Sequence, residues 1–461
     1  MPTLLRMAGT TVATPGLGWT RIELMEWKSR RWNMAALDVD LQAAYVWSFP
    51  YYEMARTRSL SLSLAANPRA AQVNALGHRR LLSDHTARVV TAPNNDTLYS
   101  SAWLDLAAGP LELTVPRIAG RYWSLQFMDA STATVALVGS RNAGEGNLTL
   151  WIVREGDTTP APAGARTVRL PTRDAWLLAR IVVDSPQDLP AVHALQDGLR
   201  LRVVNPGTAP AGPMAPAVSR GSPTDGANYL VVANDMVARN GVPENEREMV
   251  ARWSRFGLGS GDSGGALADQ AAALTAAMPS LNASLRSHGL ETGSRVVQRW
   301  LYPNPAVGNF GTEYALRASV ALAGLGALPP EEAIYLSATT DDAGQPLQGS
   351  LRYRIHVPAS GVPTGAFWSL SMYQTEADGR LFFTDNPIKR YTVGDRTAGM
   401  LKNADGSMEI VVQRDEPTEA VQKTNWLPAP AGPFRLMLRA YLPSPALAQG
   451  RLPLPVVKRA P

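Results

Sequence analysis

The sequence predicts a mainly β protein with a helical connecting segment, in which two β-sandwich-like domains are related by duplication. Short apolar runs separated by Gly and Pro fill residues 97–184 and return after residue 335, a pattern typical of antiparallel sandwiches and barrels. The stretch between them has the composition of helices. The third observation is a strand that occurs twice, since the Trp-Ser-Leu of Trp123–Leu125 recurs at Trp368–Leu370.

Three further matches occur in the same order in both halves, and the changes in their spacing fall at loops. We therefore predict two copies of one β-domain. The matched segments are 113–116 with 355–358, 146–150 with 406–410, and 177–180 with 436–439.

Side chains alternate along the repeated strand and so divide into two faces. One face is predicted to lie in the core of each copy, and it carries Trp123, Leu125 and Phe127 in the first and Trp368, Leu370 and Met372 in the second. The other face is polar with large aromatic residues, and it forms either solvated surface or the lining of a concave pocket. Its residues are Tyr122, Ser124, Gln126, Phe367, Ser369, Ser371 and Tyr373.

The chain divides into a tail at 1–34, a first β-domain with a leading helix at 35–204, a linker and helical segment at 205–335, and a second β-domain at 336–461. We expect Pro50 to interrupt the leading helix, because proline cannot donate the helical hydrogen bond. Further predicted elements are a strand at 87–90, a turn at 93–96, helices at 188–201, 244–256, 266–277 and 314–325 (capped by Thr312), and a hairpin turn at Asp405-Gly406.

The composition excludes several classes of protein. The 461 residues are 45% apolar and 18% charged, as in folded domains, and the net charge of +5 is scattered, whereas nucleic-acid binding needs clustered basic residues. The chain has no cysteine, which excludes disulfides, catalytic thiolates and cysteine-bound zinc. No run approaches the roughly 20 apolar residues of a membrane span. Because no signal peptide is recognisable, the chain as written is expected in the cytoplasm, with the periplasm or secretion as the alternative.

Two strings of residues are specific, Asn-Asn-Asp-Thr-Leu-Tyr-Ser at 94–100 and Asn-Trp-Leu-Pro-Ala-Pro at 425–430. Together with 90–106, 121–129, 311–314, 367–370, 386–387, 390–391 and 394–396, they make the chain from about residue 35 onwards resemble a bacterial family. This family joins domain of unknown function 1254 to domain of unknown function 1214. The resemblance implies jelly-roll-like β-sandwich domains and homo-oligomers, and it implies no particular activity.

The first candidate site combines carboxylates, amides, a phenol and a guanidinium near the repeated strand. Such a set could bind a polyol or transfer protons if a pKa is suitably shifted. The alternative is a turn whose side chains cap the backbone, with an Arg121–Asp129 pair that holds the strand. The residues are Asn94, Asn95, Asp96, Thr97, Tyr99, Arg121 and Asp129.

The second candidate site lies in the second half and combines aromatic residues, amides and arginines. These groups would suit a carboxylate or a sugar-like ligand, whereas core packing and loop anchoring are the alternative. The residues are Tyr314, Arg317, Tyr373, Asn386, Tyr391, Asn425, Trp426 and Arg439.

No cofactor or metal is predicted. The histidines lack metal-binding spacing, and His78 and His85 with Asp84 form the one local cluster. Residues 261–265 copy the surroundings of a trypsin-type serine, but no matching histidine segment precedes them, so we expect a flexible loop.

We expect the chain to bind a small organic molecule in a cleft and to act on it by metal-independent acid–base chemistry, as a hydrolase or a lyase. Asp96 and Asp129 would serve as acid or base, Tyr99 as proton donor and Arg121 as the clamp for an anionic group. The competing function is a non-catalytic carbohydrate-binding or assembly-forming β-sandwich protein.

The two copies differ at the ends of the repeated strand. The second copy has Ala366 and Gln374 where the first has Arg121 and Asp129. A site present in one half only is therefore expected in the first.

Overall fold

The two β regions fold as two pairs of sheets, accompanied by helices, in a computed structural model that describes residues 39–63, 72–204, 225–254, 268–288 and 293–460. The predicted tail at 1–34, most of the predicted linker (205–224) and the loop at 261–265 lie outside the described residues. None of the helices within these ranges combines the length and apolar character that crossing a membrane requires.

The first domain packs two sheets around one apolar core. Its strands are β1 (Gly77–His78), β2 (Thr97–Asp105), β3 (Leu111–Val115), β4 (Trp123–Asp129), β5 (Thr134–Gly139), β6 (Leu148–Arg154), β7 (Arg166–Leu170), β8 (Asp174–Val182) and β9 (Arg200–Val203). One sheet has the order β1-β2-β8-β4-β5, and the other has the order β7-β6-β3-β9.

The second domain repeats this arrangement around its own core. Its strands are β10 (Arg295–Val297), β11 (Trp300–Tyr302), β12 (Ala333–Ala338), β13 (Arg352–Val357), β14 (Thr364–Thr375), β15 (Leu381–Phe382), β16 (Thr392–Gly394), β17 (Met408–Gln413), β18 (Trp426–Pro428), β19 (Phe434–Pro443) and β20 (Val456–Ala460). The larger sheet has the order β10-β11-β12-β19-β14-β15 with β16 also paired to β14, and the smaller has the order β18-β17-β13-β20.

Both domains have one strand topology. The order β2-β8-β4-β5 corresponds to β12-β19-β14-β16, and β7-β6-β3-β9 corresponds to β18-β17-β13-β20. Even the parallel pair lies at the same edge, β6 with β7 and β17 with β18. The protein is thus mainly β with sandwich-like domains, as predicted.

The strand register places the matched sequence segments at equivalent positions. The equivalent pairs are Ser124–Arg180 with Ser369–Arg439, Ser124–Gly139 with Ser369–Gly394, and Leu113–Leu150 with Ile355–Ile410. This correspondence supports a duplication, which itself stays a hypothesis.

The predicted core face of the repeated strand is confirmed in both domains. The six predicted side chains lie in the two cores, Trp123, Leu125 and Phe127 in the first and Trp368, Leu370 and Met372 in the second.

The opposite faces are not solvated, because every residue of β4 is buried. The outer faces of the two larger sheets pack against each other, and the ring centroid of Tyr122 lies 5.8 Å from that of Phe367 and 5.0 Å from that of Tyr441. Farther along the first sheet, helices cover Trp103 and Met128. The polar face is therefore an interface between layers.

The helices pack mainly against the first domain. They are α1 (Val39–Ser63), α2 (Leu189–Gly198), α3 (Gly226–Asn240), α4 (Arg247–Ala251), α5 (Ala268–His288), α6 (Tyr314–Ala323), α7 (Ala420–Thr424) and α8 (Pro445–Ala448). The prediction that Pro50 interrupts the leading helix is wrong, since α1 runs through it. Most of α1 is buried, so tertiary packing offsets the lost hydrogen bond.

Other local predictions need correction. Residues 87–90 form no strand, and α4 is shorter than the helix predicted at 244–256. Helix α6 begins after Glu313, whose side chain makes no cap hydrogen bond, so Thr312 is not its cap. Strands β10 and β11 lie inside the segment predicted to be helical. The predicted turn at Asp405-Gly406 is confirmed.

A buried ionic network fastens α1 and α3 to the first sheet. Asp174 accepts hydrogen bonds from Arg58 of α1 at 3.0 Å and from Arg239 of α3 at 2.9 Å. Asp105 accepts a bond from Arg173 at 2.8 Å and lies 3.3 Å from Arg239. The network holds the helical layer in one position over the outer end of the sheet.

Candidate functional site

Asp129, the last residue of β4, heads a tight turn that occupies one of its carboxylate oxygens. Oδ1 accepts hydrogen bonds from the backbone N–H of Ser131 and Ala133 at 2.8 and 3.0 Å, and from the Ser131 hydroxyl at 2.8 Å. Among the described residues, no donor reaches Oδ2. The turn therefore holds the carboxylate in place and leaves one oxygen for another partner.

Burial raises the pKa of Asp129, whose surface is 8% exposed. The hydrogen bonds from Ser131 and the charge of Arg317 oppose this rise. A raised pKa brings the protonated form closer to neutral pH, where an acid–base group can both give and take a proton.

Arg317 of α6 is buried and keeps an unused donor. Its Nη2 donates to the backbone carbonyl of Trp47 at 3.2 Å, and its guanidinium carbon lies 5.2 Å from the ring centroid of Tyr314. Within the described part of the chain, its Nε has no hydrogen-bond partner. Buried donors without partners are uncommon in folded proteins, and a guanidinium N–H is well suited to bind an anionic oxygen.

Arg317 contacts α1 one turn before Pro50, where the Trp47 carbonyl accepts its hydrogen bond.

Two buried tyrosines and a second carboxylate lie beside Asp129 and Arg317. Burial raises the pKa of Tyr51 on α1, and the charge of Asp129 adds to the rise while that of Arg317 opposes it. Burial also raises the pKa of Tyr314 on α6 to about 12, with a contribution from Glu246. We call Asp129, Arg317, Tyr51, Tyr314 and Glu246 the Asp129 cluster.

Glu246 is fixed by a hydrogen bond from Trp47 Nε1 at 2.7 Å. The Asp129 cluster thus joins a carboxylate with a raised pKa, a guanidinium with a free donor and two phenols. Chemically, this set can hold an anionic group and exchange a proton next to it.

Some of the sequence-predicted residues lie in this cluster, others lie between the domains, and the rest lie in neither place. Asp129, Tyr314 and Arg317 belong to the Asp129 cluster although they came from two different predicted sites. Asn94, Asp96, Tyr99 and Tyr373 lie at the contact between the two larger sheets.

The interdomain group is densely hydrogen bonded. Asp96, 2% exposed, accepts bonds from the Ser369 hydroxyl at 2.6 Å and from Arg396 Nη2 at 3.3 Å. Asn94 Nδ2 donates to the Tyr441 hydroxyl at 2.7 Å, and the Tyr373 hydroxyl donates to the Pro93 carbonyl at 2.5 Å. With both carboxylate oxygens occupied, Asp96 fastens the domains together.

Arg121 is not near Asp129, and the suggested pair between them does not form. It makes an ion pair with Asp188 at 2.6 Å and donates to the Val182 carbonyl at 3.2 Å. Arg121 lies before the start of β4 and Asp129 at its end, and the strand alone spans about 20 Å at 3.3 Å per residue. Arg121 therefore anchors the segment before α2.

Three other predicted ligand-binding residues donate hydrogen bonds to backbone carbonyls. Asn95 Nδ2 donates to the Ser83 carbonyl at 2.5 Å, and Asn425 Nδ2 donates to the carbonyls of Leu401 and Glu409 at 2.7 and 3.0 Å. Trp426 is buried in the second domain, where its Nε1 donates to Gln413 at 2.8 Å.

Sequence reasoning missed Tyr51 and Glu246 in the cluster and Arg180 and Tyr335 between the domains. Arg180 carried a signal, since it interrupts an otherwise apolar strand, as Arg439 does in the second domain. Tyr51 of α1 and Glu246, which directly precedes α4, carried none, because the sequence does not show what either segment packs against.

The predicted histidine cluster is split between different partners. His78 Nδ1 lies 2.8 Å from the Ser100 hydroxyl, and His85 Nδ1 lies 2.8 Å from the Tyr391 hydroxyl. Across the described ranges, no three His, Asp or Glu side chains are grouped so that they could hold a metal ion.

Comparison with solved structures supports the fold alone. The VPA0106 protein from Vibrio parahaemolyticus is 21% identical, has a TM-score of 0.69 and is matched over 92% of this chain and 99% of that chain. An uncharacterized protein from Burkholderia cenocepacia is 15% identical over 93% of this chain and 91% of its own, with a TM-score of 0.47. None of the curated proteins matches the chain.

Two family models match in tandem. The model described as protein of unknown function DUF1254 matches residues 73–203, which hold the strands of the first domain. The model described as protein of unknown function DUF1214 matches residues 332–445, which hold most strands of the second. The chain belongs to the family in which a DUF1254 domain is followed by a DUF1214 domain.

Proposed function

We propose that the Asp129 cluster binds a small organic molecule that carries an anionic group and acts on it by metal-independent acid–base chemistry, as a hydrolase or a lyase. The observation that carries the proposal is the free Nε of buried Arg317 beside a carboxylate whose pKa burial raises. Arg317 holds the anionic group, Asp129 exchanges a proton through Oδ2, and Tyr314 or Tyr51 donates a hydrogen bond to the reacting oxygen.

The local charges support these roles. A buried guanidinium beside two carboxylates can accept one more anionic group if one carboxylate is neutral. The raised pKa of Asp129 favours its neutral form, while Glu246 is held by Trp47. Protonated Asp129 can then act as the general acid toward a ligand that Arg317 has oriented.

The competing function, a non-catalytic carbohydrate-binding or assembly-forming protein, would favour an exposed aromatic strip. In the described part of the chain, the large apolar residues that are exposed are all aliphatic. Homo-oligomers and jelly-roll connectivity stay predictions, and sedimentation velocity measures the oligomeric state.

The test is a comparison of ligand retention and turnover. The full-length protein is incubated with a panel of small carboxylic acids, esters and amides, retained compounds are identified by native mass spectrometry, and products are followed by chromatography. We expect Arg317→Met to lose retention of the ligand. Asp129→Asn should retain the ligand with turnover at least 100-fold lower, and Tyr314→Phe should lose less turnover than Asp129→Asn.

Arg117→Met is the matched control, because this arginine is 67% exposed and lies far from the cluster in the first domain. Retention that is equal in the wild-type protein and in Arg317→Met would refute the proposed site. Turnover that survives in Asp129→Asn would remove Asp129 from the acid–base role.

A further inference from the structure

The contact between the two larger sheets contains two buried arginines, one from each domain. Arg180 of β8 and Arg439 of β19 are each 3% exposed. They occupy equivalent positions, because Arg180 pairs with Tyr99 and Ser124 while Arg439 pairs with Tyr335 and Ser369. The interface thus brings two positive charges out of water.

Among the described residues, Arg180 donates hydrogen bonds only to neutral groups. Its Nη1 donates to Gln126 Oε1 at 2.8 Å and its Nη2 donates to the Gly326 carbonyl at 2.6 Å. Its guanidinium carbon lies 5.3 Å from the ring centroid of Tyr99. Neutral acceptors satisfy donors but do not neutralise a buried charge, which is unfavourable unless a counter-charge is present.

Arg439 also donates to neutral groups, but a carboxylate lies nearby. Arg439 donates to the hydroxyls of Ser371 and Tyr373 at 2.6 and 2.7 Å. Asp96, which Ser369 and Arg396 bind, also interacts electrostatically with Arg439. Of the two buried arginines, Arg180 is therefore the one whose hydrogen bonds and nearest electrostatic partners include no carboxylate.

Tyrosines from both domains surround Arg180. They are Tyr99 and Tyr122 of the first domain and Tyr335 and Tyr441 of the second. Tyr99 and Tyr335 are half-buried, whereas Tyr122 and Tyr441 are buried. The Tyr99 hydroxyl makes no hydrogen bond to the described residues. Of the four tyrosines, this half-buried pair is the part of the shell around Arg180 that solvent reaches.

We propose that Arg180, with Tyr99 and Tyr335, binds a small oxyanion of the carboxylate class between the two domains. This second site is distinct from the Asp129 cluster and does not depend on the function proposed there. The anion supplies the missing counter-charge and accepts a hydrogen bond from the Tyr99 hydroxyl. Because it contacts both domains, its binding stabilises their contact.

One backbone segment connects the two sites. Gly326, whose carbonyl accepts from Arg180, follows α6, which carries Arg317. Gly326 has a φ of +88°, and a Cβ there would stand 3.3 Å from Leu178 Cδ2. A glycine is needed for the carbonyl to approach this closely. An anion bound to Arg180 is thus connected through Gly326 to the position of α6.

The test measures thermal unfolding of the full-length protein in sodium acetate, inorganic phosphate and sodium chloride at constant ionic strength. We expect acetate to raise the melting temperature of the wild-type protein in a saturable way, with chloride as the baseline. Arg180→Met should lose this response, whereas Arg117→Met should keep it in full. A response to phosphate that is larger than that to acetate, and that also requires Arg180, would still support the oxyanion site and would identify its ligand as phosphate.

The melting temperature of Arg180→Met in the absence of anion distinguishes an anion-binding role of Arg180 from a purely structural one. If the charge is uncompensated, Arg180→Met without anion should melt no lower than the wild-type protein. A lower melting temperature together with an unchanged acetate response would overturn the proposal, as would the absence of any acetate effect in the wild-type protein.

If Arg180→Met fails to fold, Tyr99→Phe serves in its place, since it keeps the ring over Arg180 and removes only the hydroxyl. We expect acetate to bind about tenfold more weakly, the loss of one hydrogen bond to a charged group, with unchanged melting temperature in the absence of anion. Equal acetate affinity in Tyr99→Phe and the wild-type protein would refute the role of this tyrosine and the proposed geometry.

Discussion

The two β-domains share a strand order and differ in what lies at the end of equivalent strands. Strand β4 ends at Asp129, whose carboxylate is close to Tyr51 of α1 and Arg317 of α6. The equivalent position on β14 is Gln374, which pairs with Phe382 of β15 and accepts a hydrogen bond from Thr384 at 3.2 Å. In the first domain a helical layer covers the strand end, and in the second a short strand extends the sheet.

Only the first of the two equivalent strand ends has the surroundings that acid–base chemistry requires. The sheets supply positions, but burying a carboxylate beside a guanidinium and phenols requires a second layer. The helices provide that layer over the first domain alone among the described elements, and the ionic network around Asp174 fixes it.

The largest expected effect comes from breaking that network. Asp174→Ala should lower the free energy of unfolding by about 3–5 kcal/mol, because it leaves Arg58 buried without its carboxylate and takes from Arg239 its shorter ion pair, at 2.9 Å. Chemical denaturation followed by circular dichroism measures the loss. The equivalent position in the second domain is Pro433, so no matching loss exists there.

Asp378→Ala is the control for Asp174→Ala. It removes an exposed ion pair with Arg380 in the second domain, and such pairs contribute about 0–1 kcal/mol. A comparable loss in both variants would mean that the helical layer is not fastened by Asp174.

The next prediction tests the equivalence of the two domains directly. A Cβ on Gly139 would stand 2.3 Å from the Trp123 carbonyl oxygen, and one on Gly394 would stand 2.2 Å from that of Trp368. We expect Gly139→Ala and Gly394→Ala to destabilise the protein similarly, by about 1–3 kcal/mol each, because the backbone must shift. Calorimetry of both variants measures the two losses.

Gly432→Ala is the control, since a Cβ there meets nothing within 4 Å. If only one of the two glycine variants loses much stability, the two domains share a strand register but not equivalent packing at these glycines.

Much of this equivalence could be predicted from the sequence, because it follows from local order along the chain. Alternation along a strand identified the face with Trp123 and Trp368 as the core face. The matched segments also occur in the same order along both halves of the chain. These patterns need no knowledge of distant packing.

What covers the outer faces of the two larger sheets could not be predicted, because the sequence of a strand does not show which element packs against its second face. Asp129 and Arg317 therefore appeared in separate candidate sites, although packing of α6 brings them together. Arg121 and Asp129 were grouped because they are close in sequence, yet an extended strand holds them apart. Pro50 misled for the same reason, since burial outweighed local propensity.

A smaller effect on stability is expected from Asp129→Asn, which replaces the carboxylate at the end of β4 by a neutral amide, as Gln374 provides at the equivalent position of β14. Burial raises the pKa of Asp129 in the folded protein, so the folded state holds its proton at pH values where the unfolded chain has lost it. Between the unfolded pKa of about 3.9 and the raised folded pKa, wild-type stability therefore falls as pH rises. Asp129→Asn should lack this slope and be at least as stable at neutral pH.

Denaturation midpoints across a pH series check this expectation, with each unit of pKa shift worth about 1.4 kcal/mol. Asp157 is the control of opposite sign, because hydrogen bonds from Thr159 lower its pKa, so its contribution is lost as pH falls. A variant Asp129→Asn that keeps the wild-type slope and loses stability at neutral pH would mean that Asp129 is buried as a charged partner.

The smallest effect is expected at Tyr122, whose equivalent in the second domain is Phe367. Its hydroxyl donates to Glu332 Oε1 at 2.9 Å inside the interdomain contact. Tyr122→Phe should cost about 1 kcal/mol, because Glu332 keeps its ion pair with Arg141 at 2.9 Å. Denaturant titration of this variant and of the double variant with Arg141→Met separates the two bonds. A cost in the double variant well above the sum of the single costs would show that Glu332 depends on both partners, and a single cost near zero would show that the first domain tolerates the apolar residue that the second already has.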